Sequence, residues 1–176
     1  MKNKYLLIAS LLILVTFSSV NAGSNYASVG ISVVDTDEID GSGVGPLLKL
    51  GHFFGDSKNA FGLEIEANPM RADMQDDHNA TYSGGSSSSS GMGGDIAITF
   101  GTSLVYNYNI LDTGFSIRPK IGVLFPNIGD DIYKDSTTFS YGGSVLYDFG
   151  GADGYISYDT FGSGTNRYSL GIAFEF

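Results

Sequence analysis

The C-terminal stretch of the chain reads Arg167-Tyr168-Ser169-Leu170-Gly171-Ile172-Ala173-Phe174-Glu175-Phe176. Large apolar side chains stand at every even position, and small or charged side chains stand at every odd position. Alternation with a period of two predicts a β-strand whose two faces meet different surroundings. Strands of soluble proteins are about five or six residues long, whereas a tilted membrane-spanning strand needs about 9–11 residues. The length of this alternation therefore favours a strand that crosses a membrane.

The N-terminus has the organisation of a secretory signal peptide. Lys2 and Lys4 precede an apolar run over residues 5–17, and a Val-Asn-Ala triplet ends at Ala22. A positive start, a short apolar core and a small residue at the end are the features of such a peptide. A single transmembrane anchor is the alternative, but a spanning helix needs about 17–25 residues and this run is shorter. We therefore expect residues 1–22 to be removed, which leaves residues 23–176 as one domain.

The composition is acidic and contains no cysteine. Lys and Arg number 9 against 19 Asp and Glu, so the formal net charge is −10. It becomes −12 when Lys2 and Lys4 leave with the signal peptide. An acidic exported chain repels phosphates, which argues against nucleic acid as a partner. The absence of cysteine excludes a disulfide scaffold and a lipid-anchored cysteine.

Period-two alternation recurs through the whole of the mature region. Short turns follow the second, fourth and sixth strands, and long connectors follow the first, third and fifth. This arrangement predicts an all-β fold, an eight-stranded antiparallel up-and-down transmembrane β-barrel, with both chain ends on the short-turn, periplasmic side. Pro119 lacks an N–H group, so we expect a local break in the ladder there. The predicted strands cover residues 26–34, 44–54, 61–67, 95–108, 115–125, 137–149, 154–161 and 167–176.

The two residue sets of these strands predict which face meets lipid. One set is mostly Gly, Ser, Ala and Thr, which suit the narrow interior of an eight-stranded barrel. The other set carries most of the Tyr and Phe, concentrated near the short-turn end as in an aromatic girdle. A soluble barrel with an apolar interior is the alternative, but its surface would then carry too few charges to stay soluble. The girdle residues are Phe53, Phe54, Phe61, Tyr106, Tyr108, Phe115, Tyr147, Phe149, Phe174 and Phe176.

Nine charged side chains fall on the predicted interior face, four positive and five negative. An unpaired buried charge is costly, so we expect a closed network of ion pairs. Odd-numbered residues of the second strand and even-numbered residues of the third point inward. Any register that keeps the inward faces together therefore places Lys49 opposite Glu64 or Glu66. A selective pore and a salt-bridged plug are both open interpretations, and the plug is favoured because eight strands leave an interior just filled by side chains. The nine residues are Lys49, Glu64, Glu66, Arg118, Lys120, Asp148, Asp159, Arg167 and Glu175.

Patterns for catalysis or metal binding are weak. His52 is placed on the outward face, and His78 follows two aspartates in the segment 69–94. His78 is the only candidate for a lipid-modifying hydrolase or acyltransferase, and a loop is a poor place to activate a nucleophile. The acidic segment 35–43 departs from the spacing of a calcium loop. We therefore predict no catalytic residue, no cofactor, no metal site and no enzyme activity.

The chain resembles the small bacterial outer-membrane β-barrel family, of the OmpA transmembrane-domain and OmpX/Ail kind. The resemblance covers residues 23–176 and is carried by the eight strands, the terminal Gly-Ile-Ala-Phe-Glu-Phe and four charges, Lys49, Glu64, Glu66 and Arg118. It implies a monomer in a Gram-negative outer membrane, among outer-membrane lipids and lipopolysaccharide. It also implies that Phe174 and Phe176 form the assembly signal read by the barrel-assembly machinery. No OmpA-like peptidoglycan-binding domain follows, so cell-wall tethering is not expected.

The function is expected to lie in the loops, because loops on a rigid scaffold carry most binding residues. The favoured hypothesis is a structural or adhesin-like role in which an extracellular ligand meets the loops 35–43, 69–94 and 126–135. The alternative is a small porin or a carrier for hydrophobic compounds, as in OmpW-like proteins. A lipid-modifying enzyme is the least favoured.

Overall fold

The structure, a computed structural model, describes residues 23–36, 41–55, 59–72, 95–111, 113–127, 137–162 and 164–176. These residues form eight β-strands, as the alternation predicts. The strands are β1 Asn25–Thr36, β2 Gly41–Phe53, β3 Asn59–Ala72, β4 Asp95–Ile110, β5 Phe115–Asn127, β6 Thr138–Asp148, β7 Asp153–Phe161 and β8 Thr165–Glu175. Within the described ranges, no helix is long and apolar enough to cross a bilayer.

The strands close into a single antiparallel barrel in which each pairs with its neighbours in sequence order. Closure occurs between β8 and β1, where the register runs from Tyr26 opposite Glu175 to Thr36 opposite Thr165. The backbone of Phe176 continues this pairing, because its N–H donates to the Asn25 carbonyl over 2.9 Å and its carbonyl accepts from the Asn25 N–H over 3.0 Å. The predicted up-and-down eight-stranded barrel is confirmed.

Inward and outward side chains differ as the sequence predicts. The inward positions are mainly buried serine, glycine and charged residues, and the outward positions carry large apolar residues that remain exposed. Ile31 and Leu170, for example, are 63% and 64% exposed at mid-strand. A soluble protein rarely exposes a continuous apolar surface of this kind, whereas a barrel in lipid requires one.

Several strands extend further than the sequence predicts. β3 continues to Ala72, five residues beyond its expected end at Ala67, and its pairing with β4 persists to Ala72 opposite Asp95. Pro69 did not end the strand, because the neighbouring strand holds the backbone extended on either side of it. The predicted loops shorten accordingly, and residues 37–40, 73–94 and 128–136 lie outside the described part of the chain.

Proline also interrupts the ladder inside the barrel wall. The β4–β5 register pairs Val105 with Lys120 and resumes at Tyr108 opposite Ile117, so the interruption includes Pro119. This is the local break expected from a residue without an N–H group.

One placement at the end of β2 was wrong, and a second residue there is more buried than its face suggests. Phe53 is not a girdle residue: its odd number puts it on the inward face with Lys49, and it is fully buried with its ring centroid 5.0 Å from that of Tyr26. His52 keeps outward parity but is buried. Its Nδ1 lies 3.0 Å from Oδ1 of Asn25, its register partner in β1. Aromatic character suggested the girdle for Phe53, and strand parity was the better guide.

Candidate functional site

The charged residues predicted for the interior do not all meet. Six of them form one layer across the lumen, and none of the six is more than 5% exposed. They come from five different strands, which the barrel closure brings to the same height. The six residues are Lys49, Glu64, Glu66, Lys120, Asp159 and Arg167.

Lys120 of β5 is the centre of this charged layer. Its ammonium nitrogen lies 3.0 Å from Glu66 Oε2, 3.1 Å from Asp159 Oδ1 and 3.6 Å from Glu64 Oε1. One cation therefore neutralises carboxylates from β3 and β7, on different parts of the wall. Because water is excluded, these contacts are much stronger than the same pairs would be on a surface, and each also offsets a large desolvation cost.

Arg167 of β8 completes the pairing on the loop side. Its Nη2 atom lies 2.7 Å from Glu66 Oε1 and 2.7 Å from Asp159 Oδ2, and its Nε donates to the same Asp159 oxygen over 3.1 Å. The planar guanidinium thus binds Asp159 through two N–H groups and Glu66 through one. Two N–H groups on one carboxylate fix the orientation of the guanidinium in addition to neutralising the charge.

Lys49 of β2 is held more loosely than Lys120. Its ammonium lies 3.9 Å from Glu64 Oε1 and 5.0 Å from the centre of the Tyr155 ring. The sequence predicted either Glu64 or Glu66 opposite Lys49. The register partner is Glu66, but the ion pair is made with Glu64. Lys49 is thus held by a cation–π contact and one long ion pair, whereas Lys120 has two carboxylate oxygens close to its ammonium.

Arg118 lies outside the charged layer, on the turn side. Its guanidinium carbon is 4.4 Å from the centre of the Tyr26 ring and 4.9 Å from that of Phe53, and its Nε donates to Asn107 Oδ1 over 3.2 Å. Tyr26 and Phe53 are stacked, so the arginine covers an aromatic pair. The contribution of these rings was missed, although Tyr26 shares the parity of Ser28 and Ser32.

Apolar side chains flank the charged layer at both ends. Towards the turns, Tyr26 and Phe53 form one buried cluster with Ala60 and Val105. Towards the loops, Leu47 of β2 and Leu124 of β5 are buried on the inward face. The lumen is therefore filled by a charged layer between two largely apolar ones.

Asp148 and Glu175 are the exceptions among the nine predicted interior charges. Both have inward parity, but both are exposed. They line an open cavity of about 240 Å³ at the turn end, together with Asp153 and Asn109. Strand parity was right for these two residues and the prediction that they join the network was wrong, because they lie at the ends of their strands, where water solvates a carboxylate without an ion pair.

Asn68 is a buried structural residue that the sequence did not indicate. In the β2–β3 register, pairing stops between Val44 opposite Arg71 and Leu48 opposite Ala67. Two prolines, Pro46 and Pro69, fall in this interval. The Asn68 side chain donates to the Pro46 carbonyl over 2.7 Å, and its Oδ1 lies 3.0 Å from the Ser32 hydroxyl. The amide therefore bridges a stretch of wall in which ladder bonds are missing.

The remaining candidates have simple outcomes. Phe174 and Phe176 are exposed at the end of the last strand. His78 and residues 37–40 of the acidic segment 35–43 lie outside the described residues. Among the residues that the structure does describe, no group of three or more His, Cys, Asp or Glu side chains is arranged to hold a metal ion.

Comparison with known proteins identifies the fold alone. No protein-family model and no curated protein matches the sequence. The structure is similar to Yersinia pestis Ail in a phospholipid bilayer nanodisc, with a TM-score of 0.55 and 14% identity over 88% of this chain and 100% of Ail. It is also similar to the N-terminal barrel domain of Pseudomonas aeruginosa OprF, with a TM-score of 0.52 and 14% identity over 88% of this chain and 100% of that domain.

A third similar structure is Neisserial surface protein A, with a TM-score of 0.51 and 10% identity over 87% of this chain and 95% of that protein. All three matches cover nearly the whole of the other chain, so the similarity extends to the complete barrel. The protein therefore has the fold of the small eight-stranded outer-membrane β-barrels.

Proposed function

We propose that the protein is a monomeric barrel of a Gram-negative outer membrane, exported by residues 1–22, and that it contacts an extracellular partner through its loops. The observation that carries this proposal is the buried ion-pair layer centred on Lys120. A lumen filled in this way serves as a rigid scaffold. The residues free to recognise a partner are then those of the loop end.

The distribution of charge supports a particular kind of partner. All four Lys and Arg side chains that the structure describes are buried in the lumen, whereas only three of the seven Asp and Glu side chains that it describes are buried there. The three segments predicted as extracellular loops, 35–43, 69–94 and 126–135, contain ten acidic and two basic residues. We infer that the loop end attracts cationic partners, such as a basic peptide segment of another protein.

This preference would distinguish the chain from a structural neighbour. Yersinia pestis Ail has been crystallised with sucrose octasulfate, a heparin analogue, and that structure matches this one with a TM-score of 0.50 and 15% identity over 88% of this chain and 99% of Ail. A sulfated ligand is strongly anionic. The acidic loops of this protein would repel it at distances up to about 10 Å at 0.1 M ionic strength.

Binding to two probes of opposite charge tests the proposal. The full barrel in phosphatidylcholine nanodiscs is titrated with an oligolysine peptide and, separately, with sucrose octasulfate. We expect saturable binding of the peptide that weakens as salt is raised, and no binding of the sulfated ligand. A variant with Asp37, Glu38 and Asp40 changed to their amides should bind the peptide more weakly. Binding of sucrose octasulfate, or equal peptide binding by the variant, would contradict the proposal.

A small porin is the second candidate, and the open cavity at the turn end favours it. This cavity of about 240 Å³ would form the periplasmic mouth of a channel. The charged layer lies between it and the loop end. Steady single-channel steps from the pure protein in a planar bilayer would support the porin and count against the closed scaffold.

A further inference from the structure

Two rows of register partners cross the outer face of the barrel at its loop end. In the row nearer the loops, Asp35 is paired with Asn166, and Thr160 with Tyr141. Asn166 and Thr160 are themselves partners, so the row crosses four adjacent strands, from β1 through β8 and β7 to β6. The next row contains Tyr168 opposite Tyr158. These side chains form the outer-face patch, which consists of Asp35, Tyr141, Tyr158, Thr160, Asn166 and Tyr168.

Three polar groups of the outer-face patch are already hydrogen-bonded to one another. The Tyr158 hydroxyl donates to Asn166 Oδ1 over 2.8 Å. The Thr160 hydroxyl lies 3.0 Å from the Tyr158 oxygen and 3.1 Å from the same Asn166 oxygen. Both bonds to Asn166 are made to its Oδ1 atom. The two N–H groups of the Asn166 amide take no part in these bonds. Polar groups held in place before a ligand arrives lose little freedom on binding.

Exposed aromatic rings surround these polar groups. The Tyr158 and Tyr168 rings lie 5.2 Å apart and are tilted by 47°, and both side chains are exposed. Tyr141 makes a second tilted pair with Phe139 at 6.3 Å. An aromatic face beside fixed hydrogen-bonding groups suits a ligand with an apolar side and a hydroxylated side. A sugar ring has both.

A position without a side chain lies next to Tyr158. Its register partner in β6 is Gly143, which has outward parity but no side chain. The atoms nearest to a Cβ at this position would be backbone atoms of β5, 3.2 Å away at the Arg118 carbonyl and 3.3 Å away at the Pro119 Cα. No side chain of residue 143 therefore stands between Tyr158 and a flat ligand ring.

The charge of the surface identifies the class of headgroup. The outward positions described in β5, β6, β7 and β8 contain no Lys, Arg, Asp or Glu. The nearest charge in the patch is the exposed carboxylate of Asp35. Among the described outward side chains of these strands and the patch, a phosphate headgroup would meet no cation and one anion, whereas sugar hydroxyls can donate to the carboxylate and accept from the Asn166 amide.

We propose that the outer-face patch binds the uncharged saccharide headgroup of a glycolipid in the outer leaflet. The patch is on the lipid-facing side of the wall, which favours a lipid-linked sugar over a soluble one. The proposal rests on the proposed function in one respect, that the loop end of the barrel faces the outer leaflet.

Lipid retention in native mass spectrometry tests this proposal. The full barrel, in a sugar-free polyoxyethylene detergent, is titrated with monoglucosyl dioleoylglycerol and, in parallel, with dioleoyl phosphatidylglycerol. We expect the glucosyl lipid to be retained at about tenfold lower concentration than the phospholipid. The double variant Thr160→Val/Asn166→Leu loses two of the patch's hydrogen-bonding groups. In this variant, the advantage of the glucosyl lipid should fall by about tenfold, which corresponds to the loss of roughly one or two hydrogen bonds between uncharged groups.

Thr102→Val is the matched control, because it removes an outward-facing hydroxyl on β4, away from the patch. It should retain the glucosyl lipid like the unchanged protein. If the double variant shows no heat-modifiable gel shift, Tyr158→Phe replaces it, because it removes one hydroxyl and keeps the ring. Equal retention of both lipids by the unchanged protein, or equal retention of the glucosyl lipid by the patch variants, would overturn the proposal.

Two further measurements separate the sources of failure. Displacement of the glucosyl lipid by an equal concentration of free methyl glucoside would mean that the patch binds soluble sugars. That result would overturn the assignment to a lipid-linked sugar. The direction of the loops is tested in intact cells with an external protease. If the loops are protected, the proposed function fails, while the binding result in detergent still decides whether the patch recognises a saccharide.

Discussion

The hydroxyl of Tyr26 in β1 donates a hydrogen bond of 2.6 Å to Glu64 Oε2 in β3. Both residues are buried, and the bond links two of the layers that fill the lumen. Tyr26 stacks on Phe53 in the apolar layer of the turn end, and Glu64 pairs with Lys120 and Lys49 in the charged layer. The aromatic cluster and the ion pairs are therefore one connected structure.

Replacing Tyr26 with Phe should destabilise the barrel. The ring would still stack on Phe53, but a carboxylate oxygen of Glu64 would lose its donor, at a cost of about 1–3 kcal/mol. Urea unfolding of the protein in lipid vesicles measures the loss. Tyr108→Phe is the control, because it removes an exposed hydroxyl from the outer face. If both variants lose the same stability, the bond to Glu64 contributes nothing specific.

The two interior lysines should differ in importance. Lys120→Met leaves Glu66 and Asp159 without their nearest ammonium, and breaking a buried pair in this way costs about 3–5 kcal/mol. Lys49→Met removes a cation whose nearest carboxylate oxygen is 3.9 Å away, so we expect a smaller loss. The two substitutions are matched in chemistry and in burial. Unfolding in urea and the temperature of the heat-modifiable gel shift show which of the two variants loses more stability.

A double variant separates charge balance from packing. Adding Asp159→Asn to Lys120→Met brings the charged layer back to two cations and two carboxylates, so part of the lost stability should return. Loss of stability that is additive for the two substitutions would show that Lys120 acts by filling space. Equal losses for the two lysine variants would point the same way.

The barrel and the face of most strand residues could be predicted from the sequence, because alternation is a local property of the chain. Parity alone places Lys49 and Glu64 inside. Depth along the strand is a different quantity, and it depends on register and on strand ends that are set by pairing with neighbours. Asp148 has inward parity and remains exposed for this reason. The contact between Arg118 and an aromatic pair depends in addition on the reach of three side chains from different strands.

Asn68 illustrates a second limit of the sequence. The residue precedes Pro69, and proline normally marks the end of a strand. In a closed barrel, both neighbours of β3 continue past this point, so the strand continues as well. The local signal was overridden by pairing between distant parts of the chain.

Removing the Asn68 amide should weaken one seam of the wall. In Asn68→Leu, the Pro46 carbonyl loses its donor in an interval where ladder pairing is already interrupted. We expect a loss of about 1–3 kcal/mol for the unsatisfied buried group and faster amide exchange in β2 and β3. Amides of β6 and β7, on the other side of the barrel, serve as the internal control. Uniform acceleration of exchange in all strands would contradict a local role.

Phe176 should matter for assembly more than for stability. Its side chain is 74% exposed, while its backbone pairs with Asn25, so Phe176→Ala preserves the closure of the barrel and should change the free energy of unfolding by about 1 kcal/mol or less. If the barrel-assembly machinery recognises this residue, as the resemblance to small outer-membrane barrels implies, the variant should refold normally in detergent but reach the outer membrane of cells in clearly smaller amounts. Leu170→Ala is the control, since it truncates another exposed apolar residue of β8. Measuring folded protein in outer-membrane fractions, against refolding yield in vitro, separates the two effects. Similar amounts of the two variants in cells would show that Phe176 is ordinary lipid-facing surface.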